Sequence, residues 1–467
     1  MDHSRNTAQY KKMTETPVGK LILSLGVPST VSMLVTNVYN LADTYFVSSL
    51  GVFESGATGI VYSLMAIIQA VGFMFGTGAG SIISRLLGAG EIETAKKYSS
   101  TTFYMGIASG VVFSIFAYIF IDPLMYALGS TALILPYSKN YASFILAAVP
   151  AMVAAFILNN VLRYEGKAFY GMIGLTSGAL INIFGDYFMI TYTDMGIGGA
   201  GLATCISQYI SLAVLISPFI RRKSQLSISP AYITPDYRLL GKTVYTGIPS
   251  LVRQGLFGVS ASALNHAAKL CGGEMAIAAM SIVSRVSHFL YAAAIGTGHG
   301  FQPVCGFNYG AGRYDRVKGS MIFLAAFTAG LLAVFGILGY FNAERIIAAF
   351  RDDGFIIDIG SRALKLQCMV LPLVAVQIMP NMTYQSLGFS VRASLLASFR
   401  SGAIFIPVVI AAAVLFGQDG LIAAQPAADI IGSALSVPFI VFMFRYLNRL
   451  ESEKSAVLEE KKQGSVH

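Results

Sequence analysis

Charge is scarce in this chain: Lys, Arg, Asp and Glu together make up 12% of its 467 residues, against roughly 25% in a soluble domain. Hydrophobic residues make up 55%, and the mean hydropathy is +0.66. That balance excludes an ordinary water-soluble globular protein, because there are too few charged side chains to cover the apolar ones. Cysteine is also sparse. Cys205, Cys271, Cys305 and Cys368 stand apart in apolar stretches, with no C-x-x-C pair and no histidine at metal-ligand spacing, so neither a disulfide framework nor a zinc site is expected. No G-x-x-x-x-G-K-[ST] phosphate loop occurs, which argues against ATP-driven work. Paired acidic D-D-x-x-D motifs and H-x-x-x-x-D are missing too, so an intramembrane prenyl or acyl transferase is disfavoured and the chain is read as a non-enzyme with no cofactor. The polar stretch 1–20 lacks the apolar core and small-residue cleavage site of a signal peptide and is expected to be retained.

What the chain does have is apolar length. A membrane crossing needs about 20 mostly apolar residues. Stretches of that kind lie near 21–50, 56–84, 98–121, 137–162, 168–192 and 198–220, and again near 243–270, 275–305, 317–341, 356–388, 393–416 and 420–446. The expected fold is an all-α membrane protein with twelve transmembrane helices in two six-helix lobes. Its divisions are a 1–20 N-terminal segment, an N-lobe over 21–220, a 221–242 inter-lobe linker, a C-lobe over 243–447 and a charged 448–467 tail.

The net charge of +9 is spread between apolar stretches and forms no single patch, which points to topology and not to nucleic acid. Lys11, Lys12, Lys96, Lys97, Arg163, Lys167, Arg221, Arg222, Lys223, Arg238 and Lys242 fall on one side, continued by Arg313, Arg316, Lys318, Arg392, Arg400, Arg445 and Arg449. The positive-inside rule therefore predicts both termini in the cytoplasm of a cell whose plasma membrane holds the protein. The segment from Asn342 to Lys365 breaks the pattern, with four bases beside four acids, and is expected to be a partly helical external loop.

The chain also repeats itself. Gly26-Val27-Pro28-Ser29 matches Gly247-Ile248-Pro249-Ser250 at an offset of 221, and Gly76-Thr77-Gly78 matches Gly296-Thr297-Gly298 at 220. Gly88-Ala89-Gly90 matches Gly310-Ala311-Gly312 and Pro150 matches Pro372, both at 222, while Gly196 and Gly199 match Gly417 and Gly420 at 221. Two six-span halves in one orientation are a repeat plan of secondary transporters, with substrate bound between the halves. Many of the repeated Gly and Pro positions are expected to serve helix packing and bending alone.

At the strongest points of the repeat, Asn40-Leu41-Ala42-Asp43-Thr44-Tyr45-Phe46-Val47 and Gln302-Pro303-Val304-Cys305-Gly306-Phe307-Asn308-Tyr309-Gly310-Ala311-Gly312 resemble the multidrug and toxic compound extrusion (MATE) family. The resemblance covers nearly the whole chain and is closest to the branches holding the DinF-like and MepA-like exporters. It implies a pair of six-helix lobes around a central cavity, and export of small organic, chiefly cationic, compounds or drugs in exchange for H⁺ or Na⁺.

Carboxylates in mid-span are costly and therefore functional candidates. Thr36, Asn40 and Asp43 share one helical face, and Asn182 and Asp186 share another, with Thr204 in the next span able to supply a hydroxyl. Two carboxylates, an amide and a hydroxyl are hard oxygen ligands suited to Na⁺, and two close carboxylates also suit proton uptake. The resemblance carries the same four, Asp43, Asn182, Asp186 and Thr204, as an N-lobe cation site. The second half lacks them: the offset of 221 takes Asp43 to Leu264 and Thr204 to Gln425, and Ile406 and Ile410 stand near the other two positions. Met33, Tyr39, Asn40, Met65, Gln69, Asn159, Met280, Arg285, Tyr291 and Gln377 are candidates for an aromatic and methionine-rich substrate cavity. Arg285, with His266, Lys269 and His288, is an intramembrane polar group that needs a partner or water, and Asp429 is expected to pair with a base across the C-lobe. A lipid or lipid-linked oligosaccharide flippase is the alternative, favoured by Arg253 and Arg285 and opposed by the two aspartates. The expected partners are small organic cations and membrane lipids, with a monomer as the working form.

Overall fold

The computed structural model describes residues 8–464, with side chains described as far as Val457; residues 1–7 and 465–467 of the two terminal segments lie outside it. Among the described residues all regular structure is helical, as a lipid environment requires of any spanning backbone that does not close into a barrel. Ten helical stretches are long and apolar enough to cross a membrane. Two of them are double. Tyr237–Gly310 breaks at Gly272 and Gly273, and Phe405–Gly464 breaks at Gly417, so the twelve crossings expected from the apolar pattern are present.

The other crossings are Val18–Ser48, Val52–Ala89, Ile92–Ile119, Leu135–Tyr164, Ala168–Tyr192, Ile197–Ile220 and Tyr314–Phe350, with a tenth built from Gly354–Val370, a tight turn Leu371–Leu373 and Val374–Leu387. Ser390–Ser401 opens the eleventh. Most run several residues past their apolar stretch, because polar flanking residues satisfy the same backbone ladder once it has begun. The repeat extends to backbone conformation: Gly90 and Gly312, Gly166 and Gly388, and Gly196 and Gly417 all hold positive φ at helix junctions, a region where a Cβ is strained.

The 342–365 segment is not the loop expected. Helix Tyr314–Phe350 runs through its first part, and the next starts at Gly354 with the Asp353 carboxylate accepting from the Phe355 and Ile356 amides at 3.1 and 3.2 Å. The loop shrinks to 351–353 because its charges pair off on the helices. Lys365 Nζ lies 2.6 Å from Glu344 Oε1, and Arg362 Nη2 lies 2.6 Å from Asp419 Oδ1.

The chain divides into two compact units, one of residues 27–251 and one of 1–26 with 252–467. The seams fall inside the first and seventh spans, within about one helical turn of repeat-equivalent places, and not in the loops before them. Each unit is thus completed by the opening turns of a helix from the other half. In the 27–251 unit a Cβ on Gly78 would collide with the Thr243 carbonyl and one on Gly247 with the Met74 carbonyl. Thr77 and Ser250 close the same crossing through their hydroxyls at 2.9 Å. In the other unit a Cβ on Gly300 would meet the Ile22 carbonyl and the Gly26 amide. The N-terminal segment joins this unit as well: helix Ala8–Glu15 buries Met13, whose carbonyl accepts from Asn308 Nδ2 at 3.1 Å.

The linker is held to the first unit by polar contacts. Glu165, 0% exposed, takes Lys167 Nζ at 2.5 Å, the Ser224 hydroxyl at 2.5 Å and the Gln225 amide at 2.7 Å. Ser100 donates to the Ser227 and Ser229 carbonyls, and the Thr234 amide donates to Thr101. Glu165→Ala leaves three donors facing an apolar gap and is expected to cost about 3 kcal/mol locally. Trypsin cleavage at Arg221, Arg222 and Lys223 should then speed up at least about tenfold; an unchanged rate would show that the linker is held by other contacts.

Candidate functional site

Helix approach in the 27–251 unit is set by small residues. A Cβ on Gly178 would come within 2.8 Å of Ser211 Cβ, and one on Gly185 within 2.9 Å of Ala203 Cβ, so the fifth and sixth spans lie close along this face. That approach brings Asn182 and Asp186 against Thr204. Asn182 Nδ2 donates to Thr204 Oγ1 at 3.0 Å and to Asp186 Oδ1 at 3.4 Å. All three residues are buried, at 1%, 0% and 1% exposure for Asn182, Asp186 and Thr204.

Asp43 reaches the same cluster from the first span, where its side chain meets that of Asp186. The structure therefore brings the four residues of the expected cation site into one chain of contacts. Sequence reasoning missed a fifth. Tyr141, in the fourth span and 1% exposed, donates its hydroxyl to Asp43 Oδ2 at 2.8 Å. A tyrosine inside an apolar stretch must find an acceptor for its hydroxyl when buried, and that was the available signal.

Three oxygens of the cluster, Asp43 Oδ1, Asn182 Oδ1 and Asp186 Oδ2, are buried and meet no hydrogen-bond donor among the described residues. Acceptors without donors in a low-dielectric surround are costly, and a proton or hard cation relieves that cost. The donor set fits either ion. Among the described residues no group of three or more His, Cys, Asp or Glu could hold a metal, so a site for a transition metal finds no support here.

Beside the cluster is a small pocket of about 20 Å³, room for about one water molecule, lined by Thr36, Tyr39, Phe156, Asn182, Gln208 and Ser211 among others. Of the residues proposed for substrate, Tyr39 lines it. Met33, Asn40, Met65, Gln69 and Asn159 belong to the same unit without lining it. Gln208, Ser211 and Phe156 were not foreseen, since polar and aromatic side chains at helix interfaces carry no sequence signal of a cavity. In the other unit, Met280 is 3% exposed within an apolar core with Leu264, Val283 and Ile359, so packing accounts for it and cavity lining does not. Arg285, His266, Lys269 and His288 are on exposed faces. Gln377 is buried, donating to the Asp429 carbonyl at 2.9 Å, and Tyr291 stacks beneath Arg400 at 4.6 Å. Asp429 does find a base, Arg400, at 2.7 Å.

Twelve apolar crossings, two repeated units and buried carboxylates in mid-span define a polytopic membrane transporter and not an enzyme. The MatE family model matches residues 28–188 and 249–413, two stretches that begin 221 residues apart, as the repeat does. The chain belongs to the MATE family. Its relatives include the multidrug export protein MepA of Staphylococcus saprophyticus, 27% identical over 444 residues and covering 95% of this chain and 97% of that one. MepA of Staphylococcus aureus strain N315 is 27% identical over 450 residues, covering 95% and 98%. Among solved structures, an outward-facing multidrug resistance MATE transporter of the MOP superfamily superposes with a TM-score of 0.89 at 22% identity, covering 96% of this chain and 99% of that one. A MOP superfamily transporter from Pyrococcus furiosus gives 0.88 at 22%, covering 95% and 99%.

Proposed function

We propose that this protein exports small organic compounds, cations among them, across the plasma membrane in exchange for H⁺ or Na⁺, and that the coupling ion is held by Asp43, Asn182, Asp186 and Thr204. The observation that carries the reading is the set of three buried oxygens without donors, two of them on aspartates in contact. The export direction is drawn from MepA, named as a multidrug export protein. Both termini lie on the cytoplasmic side in this reading, by the distribution of Lys and Arg.

An arriving cation bridges the Asp43 and Asp186 carboxylates and competes with their present partners, Tyr141 for Asp43 and Asn182 for Asp186. Asn182 also lines the cavity, so a change in its hydrogen bonds alters the cavity wall. Ion and substrate are thereby coupled through one shared side chain, which satisfies the requirement that each bias the state the other prefers.

The test is efflux of a fluorescent organic cation from proteoliposomes under an imposed H⁺ or Na⁺ gradient. Efflux that follows one gradient names the ion; efflux that follows neither overturns the exchange reading. Tyr141→Phe removes one donor to Asp43 and keeps the ring, so the ion dependence of efflux should shift by about tenfold. A shift of the opposite kind, in substrate affinity alone, would place Tyr141 outside the ion site.

A further inference from the structure

The 252–467 portion of the chain holds a second buried charge cluster. Asp429, 0% exposed, accepts from Arg400 Nη1 at 2.7 Å and Gln425 Nε2 at 3.2 Å on one oxygen, and from Gln367 Nε2 at 2.9 Å on the other. Its backbone carbonyl takes Gln377. The carboxylate is fully satisfied.

Arg400 is not. A guanidinium carries five N–H donors, and among the described residues Arg400 spends one, on Asp429; its other contact is the face of Tyr291. Its side chain is 15% exposed, so the remaining donors point into accessible space in a segment long and apolar enough to span a membrane. Arg253 is within electrostatic reach of the same tyrosine. A pair kept for stability alone would satisfy the arginine as well as the aspartate, since unused donors in such a place are costly.

The repeat gives this place a meaning. At the offset of 221 fixed by Gly196 and Gly417, Asp429 is the counterpart of Gln208, and at the 222 fixed by Gly166 and Gly388, Arg400 is the counterpart of Gly178. Gln208 and Gly178 both line the cavity of the other unit. The position held by a glycine at the edge of that pocket, against Ser211, in one half carries an oriented arginine in the second.

We infer that Arg400, oriented by Asp429 and stacked on Tyr291, is an anchor for the carboxylate of a small organic substrate. Asp429 acts as a positioning residue: it holds one edge of the guanidinium and leaves the rest of the fork for a bidentate oxyanion, while Tyr291 supports its face. The substrate range then includes carboxylate-bearing and zwitterionic compounds. Only this transport consequence rests on the export reading; the binding itself does not.

The test compares binding of benzoate and benzamide, equal in shape and different in charge, by saturation-transfer NMR to protein in phosphatidylcholine nanodiscs. The parent should prefer benzoate by at least about tenfold, the worth of one charge-assisted hydrogen bond. Arg400→Lys keeps the charge but not the fork, and should lose most of that preference. Arg400→Gln with Asp429→Asn removes both charges together, avoids an orphaned carboxylate, and should lose it entirely with thermal unfolding unchanged. Equal binding of the two probes by the parent, or a benzoate preference kept by the double variant, overturns the inference. Loss of the preference when phosphatidylglycerol replaces phosphatidylcholine would assign the anchor to a lipid phosphate and overturn the soluble substrate. A parent that prefers benzoate yet shows no gradient-driven efflux keeps the anchor and removes the export reading alone.

Discussion

Asp43→Asn and Asp186→Asn are each expected to lower gradient-driven efflux by about 100-fold, at the upper end of ordinary site-to-site coupling, while the protein stays folded. Asparagine keeps the size of the side chain and can still accept from Tyr141 or contact Asn182, so the packing around the cluster is preserved. What disappears is one of two neighbouring negative charges. The sign of the stability change separates function from structure. Two carboxylates in contact and out of water repel each other, so removing one should leave thermal stability unchanged or raise it. If the pair were a structural feature held by its hydrogen bonds, the Asn variants would melt lower and efflux would fall only with the amount of folded protein. Normal efflux by both variants would end the assignment of the ion to this cluster.

Gly247→Ala is expected to remove most of the correctly folded protein. The added Cβ would lie inside the contact radius of the Met74 carbonyl, and no rotamer change moves a backbone atom. Overpacking of this kind costs about 3 kcal/mol when neighbours can shift; here the obstacle is the backbone of a second helix, crossing at Thr77 and Ser250. The same substitution at Gly241, on the same helix with nothing within 4 Å, is the control. It should be neutral or stabilise by about 1 kcal/mol, through helix propensity. Fluorescence-detected size exclusion and thermal unfolding read both. A Gly247→Ala protein that melts with the parent would show that the two helices can part at this crossing without loss.

How much of this was legible in the sequence differs by level. The crossings were, because a lipid environment admits only internally bonded backbone and the apolar stretches have the required length. Their ends were not: the Asn342–Lys365 segment looked like a loop because its charges balance, and only the pairing of Lys365 with Glu344 and of Arg362 with Asp419 shows why helix continues there. Asp43 and Asp186 stood out because an acid in an apolar span needs a reason, and Asn182 followed from a spacing of four. Tyr141 and Gln208 carried no comparable mark. A tyrosine or glutamine in a span is unremarkable until the neighbour it meets is known.

By itself the sequence determined the class of solvent, the number of crossings, the duplication and the two aspartates, since each depends on composition or on spacing along one helix. Tertiary structure alone decided which helices meet, that each unit is completed by turns from the other half, that three oxygens of the acid cluster face no donor, and that Arg400 keeps donors to spare. Those are relations between residues far apart in the chain, 173 positions for Thr77 and Ser250 and 295 for Met13 and Asn308, and they follow from how closely glycine lets two helices approach, which no local pattern encodes.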